Sequence, residues 1–482
     1  MSSVYSGAEG RCGKKEASVK ISVITPTHNP QHLFETAHSM LGQTHTDWEW
    51  IILANGSATT EMIETALEGM LGSRYAAGDD RRITVIKHGV GVNYAPSIGA
   101  IKRKAFDRGT GDVLVELDHD DLLTTDALAE IDNAFNDDSI DFAYSNFADF
   151  KEDAASKLLS FERYPGWEKN GWRYRDKTDV EIGRAGGPRR QLVDSCVAFP
   201  HSAASLSLIY YAPNHVRAWR RTFYEKIDGH DPAVPIADDH ELLIRTYLHG
   251  KMKHIDKCLY LYRMGPNNTF APRVDEIKNR TYVLHAMNIE ALVLREAELR
   301  GLRCYDLGGA FGCPPGWIPV DRDMTIGRAQ HHYGCEPGPW VNADDSDVIT
   351  DLKQPWPFAN SSVMAFRCHD IIEHLPDKQH TMAELHRCLV PGGWALINVP
   401  STDGRGAFQD PTHVSYWNQN SFWYWTRPEI AKYIHNTDKL FMARRLFTHF
   451  PNEHCKAQDI PYTTTELCAC KGNMTDIPGV RP

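Results

Sequence analysis

The segment VLVELDHDDLL, Val113 to Leu123, runs through apolar residues and then places Asp118, Asp120 and Asp121 within four positions. Carboxylates crowded at the exit of a buried strand are costly unless a positive charge sits among them, so the spacing asks for a cation. Hard oxygen ligands suit Mg2+ or Mn2+. Held by Asp118 and Asp120, such an ion neutralises an anionic leaving group, and a diphosphate is a group whose departure needs that help. A solvated acidic turn capping the helix that starts near Thr124 is the other reading of the same residues. Farther along, Asp238 and Asp239 open the helical pattern ADDHELLIR. They suit a helix N-terminus, where the macrodipole favours negative charge, and also a general base facing the first carboxylates across a cleft.

A second group lies beyond residue 300. YDLGGAFGCPPGWIPVD reads as a strand, a glycine turn and a second strand, with Asp306 in the first, Gly308 and Gly309 in the turn and Asp321 closing the second. In sheets that bind dinucleotides or adenosyl groups, such glycines let the backbone approach the ligand and the terminal acid accepts ribose hydroxyls. Asp351 is a further candidate for the adenosine. His374 in HDIIEHL and His413 in DPTHVSYW are candidate bases beside a transferred methyl group, against a purely structural role for each.

The elements that must position these residues follow from composition and pattern. At 482 residues and 42% hydrophobic, the chain is too long for one core and apolar enough to build two or three. A formal net charge of -11 argues against a nucleic acid or an anionic membrane as partner. There is no apolar run of the ~18 residues that a membrane span needs, and MSSVYSGAEGRCGKKEASVK lacks the apolar core of a signal peptide. Eleven scattered cysteines fit reduced thiols, so the expected location is cytoplasmic. His454, Cys455, Cys468 and Cys470 match no common zinc spacing. Oligomeric state leaves no signal.

Residues 1–19 read as a flexible arm. From Lys20, strands such as KISVITPTH, WEWIILAN, RITVIKH and DVLVELD alternate with amphipathic helices, the pattern of a parallel sheet covered on both faces, with ligands at the carboxyl ends of the strands. This first domain is expected over 20–271. Within it, residues 151–205 look too irregular for regular elements and read as a binding loop or lid, in which Trp167, Trp172 and Tyr174 either stack on an acceptor sugar or pin the loop. A linking helix is expected over 272–301 with Val283, Met287, Ala291 and Leu294 on one face, ending at Gly301. A second, Rossmann-like domain is expected over 302–450, followed by a tail over 451–482.

Five segments in order, ISVITPTHN, WEWIILANGS, APSIGAIKRKAF, GDVLVELDHDD and ADDHELLIR, resemble the inverting family 2 glycosyltransferases of the GT-A fold. The resemblance implies a nucleoside-diphosphate sugar donor, with a UDP-sugar expected, a Mn2+ or Mg2+ ion, and a hydroxyl acceptor on a glycan or another molecule. It places Pro26 and Thr27 against the base, Asp118 by the ribose and near the metal, and Asp120 on the metal. Asp239 is the implied general base, with Asp238 beside it. Ala54 and Pro96 stand where many members carry Asp and Arg, which shifts donor contacts toward Asn55 and Lys102 or Arg103. Asn267 and Asn268 stand where a histidine is often found.

The second group of motifs, continued by ELHRCLVPGGWALINVP, resembles class I S-adenosylmethionine-dependent methyltransferases, with Pro314 and Pro315 where a helix would normally begin. It implies S-adenosylmethionine at Asp306, Gly308, Gly309, Asp321 and Asp351, and methyl transfer to a glycan hydroxyl. NAD is the competing ligand; EHL followed by PGG favours methyl transfer. The alternative makes this half a non-catalytic cofactor-binding or docking module. A sugar nucleotidyltransferase is disfavoured because no Gly-rich, Arg-containing loop follows the first strand.

Overall fold

The computed structural model describes residues 18–71, 82–87, 97–152, 159–164, 168, 172–208, 212–265, 270–325 and 347–472. Two mixed sheets, of eleven and seven strands, organise the described residues. The first is built on β1 (Ile21–Thr27), β2 (Trp48–Ala54), β3 (Ile83–Lys87) and β4 (Val113–Glu116), parallel and in the order β3-β2-β1-β4. β1 and β4 are buried along almost their whole length, which is why both read as unbroken apolar runs.

Beyond β4 the sheet continues through further strands. These are β5 (Leu122–Leu123), β6 (Phe142–Glu152), β7 (Leu159–Phe161), β8 (Arg173–Ile182), β9 (Arg189–Val197), β10 (Arg217–Arg220) and β11 (Met252–Arg263). β10 is inserted antiparallel between β4 and β6. The segment expected to be irregular therefore contains a regular hairpin, β8 against β9. Its strands are largely exposed and polar, so they carry no apolar alternation to betray them. Trp172 is 3% exposed and packs on Phe147 and Phe199, so it anchors the core and cannot stack on a sugar. The Tyr174 hydroxyl donates to Asp149. Trp167 lies outside the described residues.

The second sheet contains β12 (Arg303–Leu307), β13 (Ile318–Asp321), β14 (Val348–Ile349), β15 (Val363–His369), β16 (Leu389–Pro400), β17 (Leu440–His449) and β18 (Tyr462–Cys470). Their order is β14-β13-β12-β15-β16-β18-β17. β18 runs antiparallel to both β16 and β17. This corrects the boundary at 450: the supposed tail supplies an interior strand, with Thr463, Thr465, Leu467 and Cys468 fully buried. YTTTELCAC has no long apolar run, because its threonines gain burial from the strands on either side. Cys468 and Cys470 are in that strand with free thiols.

The helix Phe270–Arg300 joins the sheets and stops at Gly301, whose φ of +62° suits a residue without a Cβ. Its buried stripe differs from the expected one. Met287 is 74% exposed and Val283 is also exposed, while Leu284, Ile289, Leu292 and Val293 are buried with Thr281, His285 and Glu296. Those three polar residues hide the stripe from a hydrophobicity pattern. His285 contacts Glu466 at 2.5 Å, and Glu296 accepts from the Ala203 amide at 2.6 Å. Leu292 and Val293 belong to one apolar cluster with Leu243 and Tyr247 of the first domain and Cys304, Met364 and Trp394 of the second. Among the described residues, no helix is long and apolar enough to cross a membrane.

Candidate functional site

Pro26 and Thr27 end β1, Asn55 follows β2, and Asp118 and Asp120 follow β4, so all five candidates stand at the carboxyl ends of three adjacent parallel strands. The Asn55 amide donates to the Thr27 carbonyl at 2.9 Å, tying two of these ends together. Thr27 is fully buried, and its hydroxyl has no hydrogen-bond partner among the described residues.

The three carboxylates after β4 have separate fates. Asp121 is 1% exposed and accepts from the Tyr260 hydroxyl and the Arg263 amide, each at 2.7 Å. Burial, then the charges of Asp120 and Asp118, push its carboxyl well above the usual range. The loop backbone is held from outside: the Arg263 guanidinium donates to the Asp120 carbonyl at 2.6 Å, and the Thr36 hydroxyl donates to the His119 and Asp121 carbonyls. Asp118 and Asp120 are only half-buried, and among the described residues neither carboxylate has a hydrogen-bond or ion-pair partner. Two unpartnered carboxylates on a pinned loop, at a strand end, fit a hard divalent cation.

Behind them lies a buried charge cluster that sequence reasoning missed. Lys102 Nζ is 2.6 Å from Glu116 Oε1 and 3.4 Å from Asp238 Oδ2. Arg217 Nη1 donates to Asp239 Oδ2 at 2.8 Å and lies 3.4 Å from Glu116 Oε2, as does His215 Nε2. A carboxylate inside the apolar run VLVELD was the available signal, since a buried charge needs a partner. The expected helix N-terminus is present: Asp238 and Asp239 open Asp238–His249. Asp238 is buried, whereas the Asp239 side chain is 27% exposed.

Electrostatics separate these two neighbours. Burial, with the nearby charges of Asp239 and Glu116, raises the Asp238 carboxyl to about 6 despite Lys102. Burial also opposes ionisation of Asp239, but Arg217 and Lys102 outweigh it and hold that carboxyl well below the usual range. Lys102, although buried, is kept protonated by Asp238 and Glu116, with contributions from Asp239 and Asp118. Lys102 is therefore committed to internal pairs, and Arg103 bonds Asp107 at 2.9 Å, away from the strand ends. Pro96, Asn267 and Asn268 lie outside the described residues.

In the second sheet, Asp306, Gly308, Asp321 and Asp351 lie at or just beyond the carboxyl ends of β12, β13 and β14. Asp306 is 2% exposed and accepts from Arg367 on β15 at 3.1 Å; burial nonetheless lifts its carboxyl to about 6. Gly308 has φ +80°, and a Cβ there would meet Ile371 at 3.1 Å. One on Gly309 would meet Pro319 at 3.0 Å, so a side chain at either glycine would press on its neighbours. The turn continues as a single 3-10 turn, Gly309–Phe311, in place of a helix. Asp321 accepts from the Arg322 amide at 2.6 Å and is 3.4 Å from the Ala310 amide; Asp351 caps the Lys353 amide at 3.0 Å. An acid at the end of the second strand, beside a glycine turn, is an acceptor placed to fit an adenosyl ribose. His374 and His413 come together beyond β15, with ring centroids 5.0 Å apart.

Residues 22–195 match the family described as Glycosyl transferase family 2, and residues 335–397 match one described as Methyltransferase domain. Similar solved structures include S. aureus TarS 1-349, at 14% identity over 58% of this chain and 70% of that chain, with a TM-score of 0.37. Its complex with UDP-GlcNAc gives 0.38. GalNAc-T7 with UDP, GalNAc and Mn2+ is 14% identical over 52% of this chain and 44% of that chain, with a TM-score of 0.32. No curated protein matches the chain.

Proposed function

We propose that this chain, which joins a GT-A family 2 glycosyltransferase domain to a class I methyltransferase domain, transfers a sugar from a nucleoside diphosphate to a hydroxyl acceptor with inversion. The observation that carries the reading is the pair of carboxylates, Asp118 and Asp120, unpartnered among the described residues and carried on a loop pinned by Arg263, Thr36 and Asp121. When bound there, Mn2+ or Mg2+ would neutralise the departing diphosphate. Pro26, Thr27 and Asn55 line the nucleotide, with uracil as the proposed base. Asp239 is the proposed general base, because it is the more exposed member of its pair and accepts the acceptor proton as the hydroxyl attacks. Arg217, itself beside Glu116, holds it in place. The free thiols among the described residues agree with a cytoplasmic setting.

A panel of nucleotide sugars incubated with the full-length protein, with and without Mn2+, tests this through nucleotide release. UDP release that needs Mn2+ is expected from at least one donor. Asp120→Ala should weaken metal-dependent donor binding, whereas Asp239→Ala should abolish transfer and leave donor binding intact. Equal donor affinity in Asp120→Ala overturns the assigned roles.

For the second domain, we propose methylation of a hydroxyl on the same glycan by S-adenosylmethionine, held by Asp321 and Asp351 beside the turn at Gly308 and Gly309. The Asp306–Arg367 pair and a turn filled by Ile371 and Pro319 favour a second reading, a docking module without catalysis. Calorimetry of the full chain with S-adenosylmethionine separates them: absence of heat together with absence of labelled methyl transfer selects the docking module.

A further inference from the structure

We propose that Glu373, His374 and His413 form a divalent-cation site in the second domain, separate from the one at Asp118 and Asp120. One ligand atom from each of the three side chains lies within 4.8 Å of the others. Metal–ligand bonds of ~2.1 Å put two donors on one ion at most about 4.2 Å apart, so only a small contraction closes the site. His413 Nε2 is already 4.0 Å from Glu373 Oε1, and Asp410 Oδ2, 3.9 Å from the same nitrogen, is a fourth oxygen within reach.

Glu373 supplies an independent reason. It is 2% exposed, and among the described residues neither of its carboxylate oxygens has a hydrogen-bond partner. Leaving both oxygens of a buried carboxylate without a partner is costly, and a bound cation removes that cost. Its backbone is firmly placed, because its carbonyl accepts from the Val414 and Ser415 amides, each at 2.9 Å. This ties the short helix Ile372–His374 to the segment that carries His413.

Each imidazole has one nitrogen fixed by a backbone carbonyl. His413 Nδ1 lies 3.0 Å from the Ala407 carbonyl, and His374 Nδ1 lies 3.2 Å from the Thr412 carbonyl. A carbonyl only accepts, so each Nδ1 carries the hydrogen and each Nε2 keeps its lone pair. The Thr412 hydroxyl, 3.1 Å from His374 Nδ1, donates to Asp410 Oδ1 at 2.6 Å and so also acts as an acceptor toward His374. Backbone carbonyls that fix the remote nitrogen are the usual support for a metal-bound histidine. Two imidazoles and a carboxylate suit Mn2+ or Zn2+ better than Ca2+.

The site stands beyond β15, on the strand-end side of the sheet where Gly308 and Asp321 also lie. Phe408 and Tyr416 are 59% and 45% exposed beside it, with ring centroids 5.2 Å apart. Use of the ion to bind an acceptor hydroxyl rests on the methyltransferase reading; the ion site itself does not.

The test uses the full chain with Asp118→Asn and Asp120→Asn, which remove the other carboxylate pair. Mn2+ and Zn2+ are each titrated by calorimetry, and bound Mn2+ is examined by pulsed electron paramagnetic resonance for coupling to imidazole nitrogen. One bound ion is expected, with nitrogen coupling on Mn2+. Adding His374→Gln and His413→Gln should abolish the coupling and weaken binding about tenfold or more, and Glu373→Gln should weaken it similarly, with thermal unfolding confirming that each variant is folded. If neither ion binds, or if affinity and coupling survive the paired histidine replacements, the proposal is wrong. The measurement omits S-adenosylmethionine, so failure of the methyltransferase reading would leave its result unchanged.

Discussion

Arg217 Nη1 lies 2.8 Å from Asp239 Oδ2, in a pair whose arginine is 1% exposed and whose aspartate opens onto solvent. The ion pair keeps Asp239 ionised at any pH where the protein is used, and it orients the carboxylate from behind. Arg217→Gln removes that hold and leaves Glu116 short of one cation. We expect a loss of about 3 kcal/mol in stability, because breaking a buried pair strands a charge. The acid limb of the sugar-transfer pH profile should move to higher pH as the Asp239 carboxyl rises toward its ordinary range. A profile that does not move would remove Asp239 from the proton-transfer step.

Asp238 should show the opposite linkage. Its carboxyl is raised to about 6 in the folded chain, so the native state binds a proton more tightly than the unfolded one. Its contribution therefore becomes less favourable as pH rises from near 4 through 6, and levels off above that. Asp238→Asn should compare more favourably with the wild type at pH 8 than at pH 5. Melting temperatures of both proteins at the two pH values check this.

Asp120 and Asp121 are adjacent and should behave differently. Asp121→Ala leaves the Tyr260 hydroxyl and the Arg263 amide without their acceptor, at a cost of about 2 kcal/mol. Asp120→Ala removes a carboxylate with no partner among the described residues, so its unfolding free energy should stay within about 0.5 kcal/mol of the wild type. Urea denaturation of the two variants, read beside Mn2+-dependent UDP release, separates the structural acid from the proposed ligand.

The shared helix predicts that the two domains unfold together. Leu292 is fully buried in the cluster that spans both sheets, and Leu292→Ala should cost about 3 kcal/mol through lost transfer and a residual cavity. Calorimetric scans should show one cooperative transition moving down in temperature. A transition in which only one half shifts would show that the cluster does not couple them.

Ending the chain at residue 450 should destroy the second domain. Without β18, β17 loses its neighbour in the sheet and β16 loses one side. The shortened protein should bind a hydrophobic dye and lack the near-ultraviolet circular dichroism of a packed core.

The amino-acid sequence by itself determined the two α/β halves, because buried parallel strands write themselves as apolar runs and their carboxyl ends carry the acids. The proposed site positions Asp118, Asp120 and Asp321 stand at such ends and Asp239 opens a helix, so each could be located from a change in local pattern. It also indicated the linking helix and its stop at Gly301. Tertiary structure alone decided which acids are free and which are spent, since Asp121 is satisfied by Tyr260 and Arg263 from far along the chain. It decided that Lys102, Glu116 and Arg217 meet, because three separate elements contribute them. It turned the expected tail into an interior strand, whose burial comes from its neighbours rather than from its own hydrophobicity. Glu373, His374 and His413 became a set only when the loop after β16 folded back over the end of β15, a contact that no local spacing encodes.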